Sequence, residues 1–459
     1  MQIKIKGRRY TDLILVEKHS IKRKPKTKEL YKTIDDFCYK SKNLYNSANY
    51  LITQCSRISY KLKQGEILES WEKSLIYRVN CGIKAFNDNK GKKLMNYIDE
   101  NNGFVANHFF LLPFLKDTFD YKEMPYAVSA QQCVIKLCQN WKAYYEGMKA
   151  YKKGNKNMLG RPKPPKYYDK NTGRNALIIT GQQTEVENDG TIHIKPKFLE
   201  KLNLHFKVRY ATKINQVRVV TKPNAIDFEI AYEVPDVKPK QKKNRVMGID
   251  LGVDNLATLT SNTEMQPVII NGGPLKSINH YYNKKKAYLQ ETAKTMNDTF
   301  NTMRLYRLTD KRNNKVADCL HKASAKIIAL AEKYDIDTIV IGNNKGWKQN
   351  VDMGKKTNQT FVSIPFHNLI QKIQYKAERL GIAVTVVEES YTSGTSYLDN
   401  EQPIQSNYNP QRRVSRGQFQ SNTGVLINAD VNASYQIMKK AKVNSPVYLN
   451  EKVTQLNVA

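Results

Sequence analysis

The spacing of apolar positions changes several times along the chain, and each spacing is typical of a different element. Residues 2 to 16 alternate between apolar and polar and predict a strand or hairpin, followed by a basic connector from Lys22 to Lys28. From about residue 30 to residue 150, apolar residues recur at three-and-four spacing, for example at Leu44, Ala48 and Leu51. This spacing predicts a helical module.

Short alternating strands return between Ala176 and Val234 and predict a small β-barrel. The stretch from Gly154 to Tyr168 precedes them and is basic, aromatic and rich in proline, so it cannot be regular helix. We expect the N-terminal strand to complete the barrel. The helical module would then be an insertion between the two parts of the barrel.

The C-terminal half is predicted to alternate strands with helices. Apolar strands are expected at 245–251, 256–260, 338–341 and 384–387, and helices at 278–334, at 362–380 and from near Asp430. Two adjacent strands joined by a tight turn and followed by this alternation are typical of an RNase H-like α/β domain. The predicted fold class is therefore multidomain α/β.

These patterns give a set of expected domain boundaries. The predicted parts are the β-barrel at 1–28 and 154–240, the helical domain at 29–153, the RNase H-like domain at 241–390 and 425–445, an insertion at 391–424 and a tail at 446–459.

Charge is the strongest compositional feature. The chain has 75 Lys and Arg against 42 Asp and Glu, a formal net charge of +33. Such an imbalance opposes compaction unless a polyanion neutralises it, which favours nucleic acid as the partner. The alternative is that the charge only serves solubility. Because no apolar run approaches the ~18 residues of a spanning helix, we expect a soluble protein of the prokaryotic cytosol or nucleoid, without a membrane partner.

Two aspartates stand where a metal-dependent enzyme would need them. Asp250 lies in an apolar strand with Gly248 and Gly252 on either side, and a carboxylate buried there is costly unless a cation neutralises it. Asp430 begins the last predicted helix, where its charge is favoured and where it can face Asp250. The alternatives are a turn aspartate satisfied by backbone and an ordinary helix cap.

Four ordered motifs carry a resemblance to a known family: Gly248–Gly252, His321–Ser324, Tyr391–Ser393 and Asn428–Ala433. With these motifs the chain resembles the RuvC domains of the TnpB (OrfB) family of insertion sequences, their Fanzor relatives and the type V CRISPR effectors. The resemblance implies an RNA-guided DNA endonuclease that uses Mg²⁺ or Mn²⁺. It also implies a guide RNA and a double-stranded DNA target as partners, and wedge and recognition domains for the barrel and the helical module. Oligomeric state stays open.

The chain departs from the family at the third acid. Relatives usually carry a glutamate directly after the strand that here ends Ile341-Gly342. The nearest replacements are Glu388 and Glu389 on the next strand, about 5 Å away, and Gly342 would leave room for one of them. The Fanzor spacing before Thr392 selects Glu389, so the expected metal ligands are Asp250, Glu389 and Asp430. One alternative is that Glu388 is the ligand instead. The other is that both glutamates are only solvated charges at the end of a strand.

Another departure concerns zinc. Relatives often carry paired cysteines in the insertion, but the six cysteines here lie far apart and none falls between Gly394 and Gly424, so we expect no zinc. Cys55, Cys133 and Cys138 are expected in the core.

Basic and aromatic residues in three segments are candidates for nucleic-acid contact, since cations meet phosphate and rings stack on bases. They are Tyr45, Tyr50, Arg57 and Lys61 in the helical module, Arg161, Lys163, Lys166 and Tyr167 in the proline-rich loop, and Arg412, Arg413 and Arg416 with Tyr397, Tyr408 and Phe419 in the insertion. The alternatives are tyrosines that belong to the core and an insertion that is only solvated.

Two other functions stay open at this point. One is an RNA-guided DNA-binding repressor whose nuclease site has decayed, which the missing acid at Gly342 suggests. The other is an unguided nuclease or transposase accessory protein.

Overall fold

A computed structural model describes residues 13–88, 94–155, 158, 160–195, 204–209, 213–235, 237–344, 363–415, 417–443 and 453–457. The chain divides into two compact units, Met1–Pro235 and Asp236–Ala459. Several predictions lie outside the described residues: the strand before residue 13, the start of the helix at 362, and Arg416.

Helices dominate the middle of the first unit. They are α1 (Lys28–Lys63), α2 (Ser70–Asp88), α3 (His108–Leu115), α4 (Phe119–Lys122) and α5 (Ala127–Lys152). The predicted helical module is confirmed as a set of helices, because the apolar residues at three-and-four spacing form its core. Cys55, Cys133 and Cys138 are buried there, as expected.

The described strands of this unit form a four-stranded sheet of order β1-β7-β6-β2 and a three-stranded sheet of order β3-β4-β5. Their bounds are β1 (Leu13–Lys22), β2 (Leu177–Thr180), β3 (Thr184–Val186), β4 (Thr191–Ile194), β5 (His205–Lys207), β6 (Lys213–Lys222) and β7 (Ala225–Val234). β1 pairs antiparallel with β7, which confirms that an N-terminal strand joins the later sheet. Closure into a barrel stays a prediction.

β1 continues to Lys22, beyond the strand expected from the sequence. Its polar residues do not end it, because they face polar partners: Ser20 Oγ donates to the buried Asp227 at 2.5 Å, and Lys18 lies 3.8 Å from the same carboxylate.

The second unit is built on a six-stranded mixed sheet of order β12-β11-β8-β9-β10-β15. Its strands are β8 (Val246–Asp250), β9 (Asn255–Ser261), β10 (Val268–Asn271), β11 (Thr338–Gly342), β12 (Ala383–Val387) and β15 (Thr454–Leu456), with a separate pair β13 (Gln418–Gln420) and β14 (Leu426–Asn428). β10 and β15 were not predicted, and β15 lies in the expected tail. A four-residue strand and a polar three-residue strand are too short to show a period.

Helices cover both faces of this sheet. α7 (Met303–Lys333) and α8 (Phe366–Glu378) pack with Ile249, Ile339 and Ile341 in one core, and α9 (Ala429–Lys440) packs with Val246 and Val340 in another. Alternate residues of the central strands therefore face opposite helical layers.

The helical stretch predicted at 278–334 is confirmed, but it is divided into two helices. The structure has α6 (Gly273–Asn297) and α7, separated at Asp298, whose φ of 46° is left-handed and ends α6. Thr302 then caps α7, because its side chain accepts a hydrogen bond from the Leu305 N–H at 3.3 Å.

No helix within the described ranges combines the length and the apolar character needed to cross a bilayer.

Candidate active site

The C-terminal ends of three parallel strands define one edge of the sheet in the second unit. β11 pairs parallel with both β8 and β12, so Asp250, Gly342 and the residues after Val387 come to the same edge. Asp250 is the last residue of β8. The prediction that these residues share an edge is confirmed.

α9 crosses β8 at close range and brings Asp430 to this edge. A Cβ at Gly248 would lie 2.6 Å from the Ser434 carbonyl oxygen and 2.6 Å from Met438 Cγ, so only glycine fits the crossing. Asp430 lies one turn before Ser434 and Asp250 lies two residues after Gly248. Asp250 therefore lies on the same face of β8 as Gly248, and Asp430 lies on the same face of α9 as Ser434.

The side chain of Glu389 fills the space that Gly342 leaves open. A Cβ on Gly342 would lie 2.5 Å from Glu389 Oε1 and 2.6 Å from Glu389 Cγ. The Glu389 N–H donates to Asn344 Oδ1 at 2.9 Å, which fixes the backbone at the strand end. Glu389 Oε1 is buried, and within the described part of the chain it has no hydrogen-bond partner.

Glu388 behaves differently from its neighbour. It is exposed, and its Oε1 accepts a hydrogen bond from the Ser390 hydroxyl at 2.7 Å. Successive residues at a strand end point to opposite sides, so only Glu389 turns toward the edge that carries Asp250.

The carboxyl groups at this edge act on one another electrostatically. Burial raises the pKa of Asp250 well above its usual range, and the nearby Glu389 and Asp430 raise it further, while Arg413 opposes them. Burial also raises the pKa of Glu389 to about 7, which Lys440 partly opposes. Such a group of acids favours the binding of a cation, because a positive charge relieves the cost of ionising them.

Asp430 is held in place by neighbours from other elements. Asn255 Nδ2 donates to Asp430 Oδ2 at 2.7 Å, and Arg413 Nη2 lies 3.5 Å from Asp430 Oδ1. The helix cap is Asn428, whose Oδ1 accepts from the N–H groups of Asp430 and Val431. The carboxylate of Asp430 is therefore not used for capping. Sequence reasoning gave Asn255 no role, and its place after the turn that follows Asp250 was the only signal.

The donor set suits a hard divalent cation, since carboxylate oxygens are the ligands that Mg²⁺ and Mn²⁺ prefer. Across the residues that the structure describes, no group of three or more His, Cys, Asp and Glu has ready-made metal-ligand spacing. The buried, unpartnered Oε1 of Glu389 is the feature that fits a cation best.

The insertion is more tightly packed than the sequence suggested. Tyr397 is 6% exposed and stacks on Tyr435 with ring centroids 4.5 Å apart, and Phe419 is fully buried. The expectation that these two rings contact substrate is wrong, because both are buried. The sequence does not reveal this burial, since the loop has no hydrophobic period. Tyr408 stays partly exposed and packs edge-on against Tyr391.

The two described arginines of the insertion have different surroundings. Arg412 pairs with Glu401 at 2.6 Å, and both side chains are only 16% exposed. Arg412 therefore holds the insertion together. Arg413 is 44% exposed and faces Asp430, where it remains available to a ligand.

Two of the four candidates in the helical module belong to its interior. Tyr45 is 7% exposed and packs edge-on against Tyr168, and Lys61 pairs at 2.7 Å with the buried Glu72. These contacts correct the expectation that Tyr45 and Lys61 reach nucleic acid. Tyr50 and Arg57 are exposed.

The proline-rich loop presents its charges outward. The amide groups of Asn46 and Asn49 hydrogen-bond to the loop backbone at Tyr168 and Pro165, which fixes the loop on α1. The candidate residues of this loop are all exposed: Arg161, Lys163, Lys166 and Tyr167.

Two family matches cover the segments that carry the site. Residues 229–348 match the family described as OrfB_IS605, probable transposase, and residues 366–437 match the Cas12f1-like TNB domain. The first segment contains Asp250 and Gly342, and the second contains Glu389 and Asp430. The predicted resemblance to the TnpB (OrfB) family is confirmed over these segments.

A curated relative and several solved structures are also similar. The CRISPR-associated endodeoxyribonuclease Cas12f1 of Syntrophomonas palmitatica is 26% identical over 172 residues, which is 36% of this chain and 33% of that protein. The matched stretch thus spans about a third of the relative. A cryo-EM structure of a Cas12f1–sgRNA–target DNA complex covers 94% of this chain and 99% of its own at 14% identity and a TM-score of 0.48. A Cas12f ternary complex covers 91% and 83%, also at 14% identity, with a TM-score of 0.37.

Proposed function

We propose that this protein is an RNA-guided DNA endonuclease whose RuvC-type site consists of Asp250, Glu389 and Asp430 with bound Mg²⁺ or Mn²⁺. The observation that carries the proposal is the position of Glu389. Its carboxyl group occupies the space over Gly342, its Oε1 is buried without a hydrogen-bond partner among the described residues, and it raises the pKa of Asp250. A buried carboxyl without a partner is costly unless a cation neutralises it.

The three acids would hold the cations together. A bound positive charge would relieve the cost of ionising Asp250, whose pKa is raised by burial and by the other two acids. The chemistry that bound divalent cations supply is activation of water and stabilisation of the departing oxygen of a phosphodiester. Asn255 would keep Asp430 oriented, since its amide donates to one oxygen and leaves the other for a ligand.

Arg413 would contact the phosphate that is being cleaved. It is partly exposed, and its guanidinium lies beside Asp430 rather than in a buried ion pair. A guanidinium can donate two parallel hydrogen bonds to phosphate oxygens, which positions the substrate and stabilises developing charge. In the absence of substrate its contact with Asp430 keeps it near the acids.

The guide RNA and DNA target are supported by charge and by the family matches. The net charge of +33 favours a polyanionic partner, and the exposed cations of the loop at 160–168 lie on a surface rather than in ion pairs of the core. The Cas12f1 relative is a CRISPR-associated endodeoxyribonuclease. In an RNA-guided enzyme base pairing reads the target sequence, and the protein reads a short flanking motif and duplex shape.

The proposal is tested by purifying the protein with the RNA that it carries and adding Mg²⁺ and a duplex matched to that RNA. We expect cleavage by the unchanged protein and by Glu388→Gln, and a loss of at least about 100-fold with Asp250→Asn or Glu389→Gln. The Glu388 variant is the matched control, because it removes one carboxylate from the neighbouring position.

Each alternative has its own outcome. Binding of the matched duplex without cleavage by the unchanged protein would contradict the nuclease and identify a repressor. Cleavage by protein free of RNA, independent of duplex sequence, would contradict guidance. Full activity of Glu389→Gln would contradict the proposed role of that residue.

A further inference from the structure

Two lysines of α8 meet the segment His321–Ser324 of α7, which the proposed nuclease site does not use. Lys372 Nζ lies 2.7 Å from His321 Nε2. Lys376 Nζ donates to the His321 carbonyl oxygen at 2.8 Å and to the Ser324 hydroxyl at 2.7 Å. The Ser324 hydroxyl in turn donates to the His321 carbonyl at 3.0 Å. We call Lys372, Lys376 and His321 the lysine–histidine cluster.

The two lysines bring positive charge to the cluster. In the part of the chain that the structure describes, neither Lys372 nor Lys376 lies within ion-pair distance of a carboxylate, and the nearby Asp318 pairs with Lys322 at 3.0 Å. Burial, with Lys372 and Arg379 close by, lowers the pKa of Lys376 to about 8, and burial also lowers the pKa of Lys372. An anion bound here would remove this cost.

The hydrogen bonds leave the ammonium groups able to bind a ligand. A lysine ammonium has three N–H donors, and the protein contacts described above use one in Lys372 and two in Lys376. Lys372 Nζ uses one of its positions in the contact with His321 Nε2. The contacts hold both ammonium groups at a fixed place on the partly exposed surface of α7 and α8.

The cluster is separate from the candidate active site. α7 and α8 cover one face of the six-stranded sheet, and α9, which carries Asp430, covers the other. Asp250 and Glu389 lie at the edge where the parallel strands end, whereas Lys376 lies in the last turn of α8, which leads to the start of β12 at the opposite edge.

We infer that the lysine–histidine cluster is a binding site for phosphodiester groups of a nucleic-acid backbone, outside the candidate active site. The inference rests on the proposed function for its ligand. Two fixed ammonium groups that meet no carboxylate among the described residues suit two neighbouring phosphates or two oxygens of one phosphate. The site would position the bound strand without reading its bases, because phosphate contacts carry no sequence information.

Salt dependence of binding tests the inference. The full chain, washed free of nucleic acid at high salt, is titrated in EDTA against fluorescein-labelled DNA duplex, RNA–DNA hybrid and RNA duplex of one sequence, between about 50 and 300 mM KCl. We expect Lys372→Gln/Lys376→Gln to reduce the slope of log K against log salt by about 2 for at least one duplex, because each lost phosphate contact removes about 0.9. The duplex affected identifies whether DNA or RNA is the source of the phosphate.

Three variants separate this role from a purely structural one. Lys372→Arg/Lys376→Arg keeps the charge and should retain the slope. The single change Lys372→Gln should reduce the slope by about 1 and covers the case in which the double variant does not fold. Lys333→Gln/Lys442→Gln removes two exposed lysines elsewhere in the same unit and is the charge-matched control.

Two outcomes would contradict the inference. Unchanged slopes on all three duplexes, with only a lower unfolding temperature, would overturn the inference and leave the lysines as a contact between helices. An equal loss of slope in the Lys333/Lys442 control would also overturn it, since the effect would then be diffuse charge. No cleavage is measured, so failure of the nuclease proposal would not affect the result.

Discussion

The pH dependence of stability in the metal-free protein depends on the protonation of Glu389. Its pKa is raised from the ordinary 4.5 to about 7 by burial, with Lys440 opposing. Below pH 4.5 the carboxyl is protonated in both folded and unfolded protein, so its contribution to stability is fully present. As the pH rises from 4.5 to about 7, the unfolded chain has released this proton while the folded protein still holds it. The folded state therefore loses stability over this range.

The magnitude follows from the size of the shift. A change from 4.5 to about 7 corresponds to a loss of about 3 kcal/mol at ~1.4 kcal/mol per pKa unit. In Glu389→Gln this loss should be absent, because glutamine does not titrate. The pKa of Asp250 is raised in the same direction, but Asp250 is present in both proteins and contributes to both curves.

Urea unfolding of the EDTA-treated protein between about pH 5 and pH 8 measures the effect. We expect Glu389→Gln to gain stability relative to the unchanged protein as the pH rises, and Mg²⁺ to restore stability to the unchanged protein but not to Glu389→Gln. Glu388→Gln should follow the unchanged protein, because Glu388 is exposed. Parallel curves for Glu389→Gln and the unchanged protein would show that the pKa of Glu389 is not raised in the folded state.

Two further predictions concern packing around the site. Gly342→Ala places a methyl group 2.5 Å from Glu389 Oε1. We therefore expect the free energy of unfolding in urea to fall by about 1–3 kcal/mol, and the rate of cleavage to fall to that of Glu389→Gln. Arg412→Met leaves Glu401 without its ionic partner, whose pairing holds the pKa of that carboxyl low against the effect of burial. We expect Arg412→Met to lower the free energy of unfolding by about 3 kcal/mol. Arg413→Met should lower the rate of cleavage and leave the free energy of unfolding unchanged.

Either result can be contradicted by the same measurements. Full cleavage by Gly342→Ala would show that Glu389 does not need the space over Gly342. Equal losses of stability in Arg412→Met and Arg413→Met would show that the buried pair is not what holds the insertion.

The parts of the fold with a clear period were predictable from sequence, and so was the edge that collects the acids. The parallel strands that end at Asp250 and Gly342 follow from the alternation of strands and helices, and the absence of a side chain at Gly342 indicates that a glutamate of the next strand takes its place. The choice of Glu389 over Glu388 depended on family spacing, since a one-residue shift of register would exchange them. The structure gives the physical reason, because only Glu389 lies over Gly342.

Side chains in irregular segments were not predictable. Tyr397 and Phe419 lie in a stretch without periodicity, so their burial depends on tertiary packing that no local pattern shows. Tyr45 and Lys61 belong to a helix whose apolar face was recognised, yet their partners Tyr168 and Glu72 come from other segments. Contacts of this kind decide whether a basic or aromatic residue can reach a ligand.

The proposed metal site is best tested by titrating the full chain with Mn²⁺ and measuring the free ion by electron paramagnetic resonance. This measurement needs neither guide nor target. We expect Glu389→Gln and Asp250→Asn each to weaken binding at least about tenfold, since loss of a ligand should cost no less than loss of an outer-shell contact. Glu388→Gln should bind as the unchanged protein does. Unaltered Mn²⁺ affinity in Glu389→Gln, or an equal loss in Glu388→Gln, would contradict the proposed metal site.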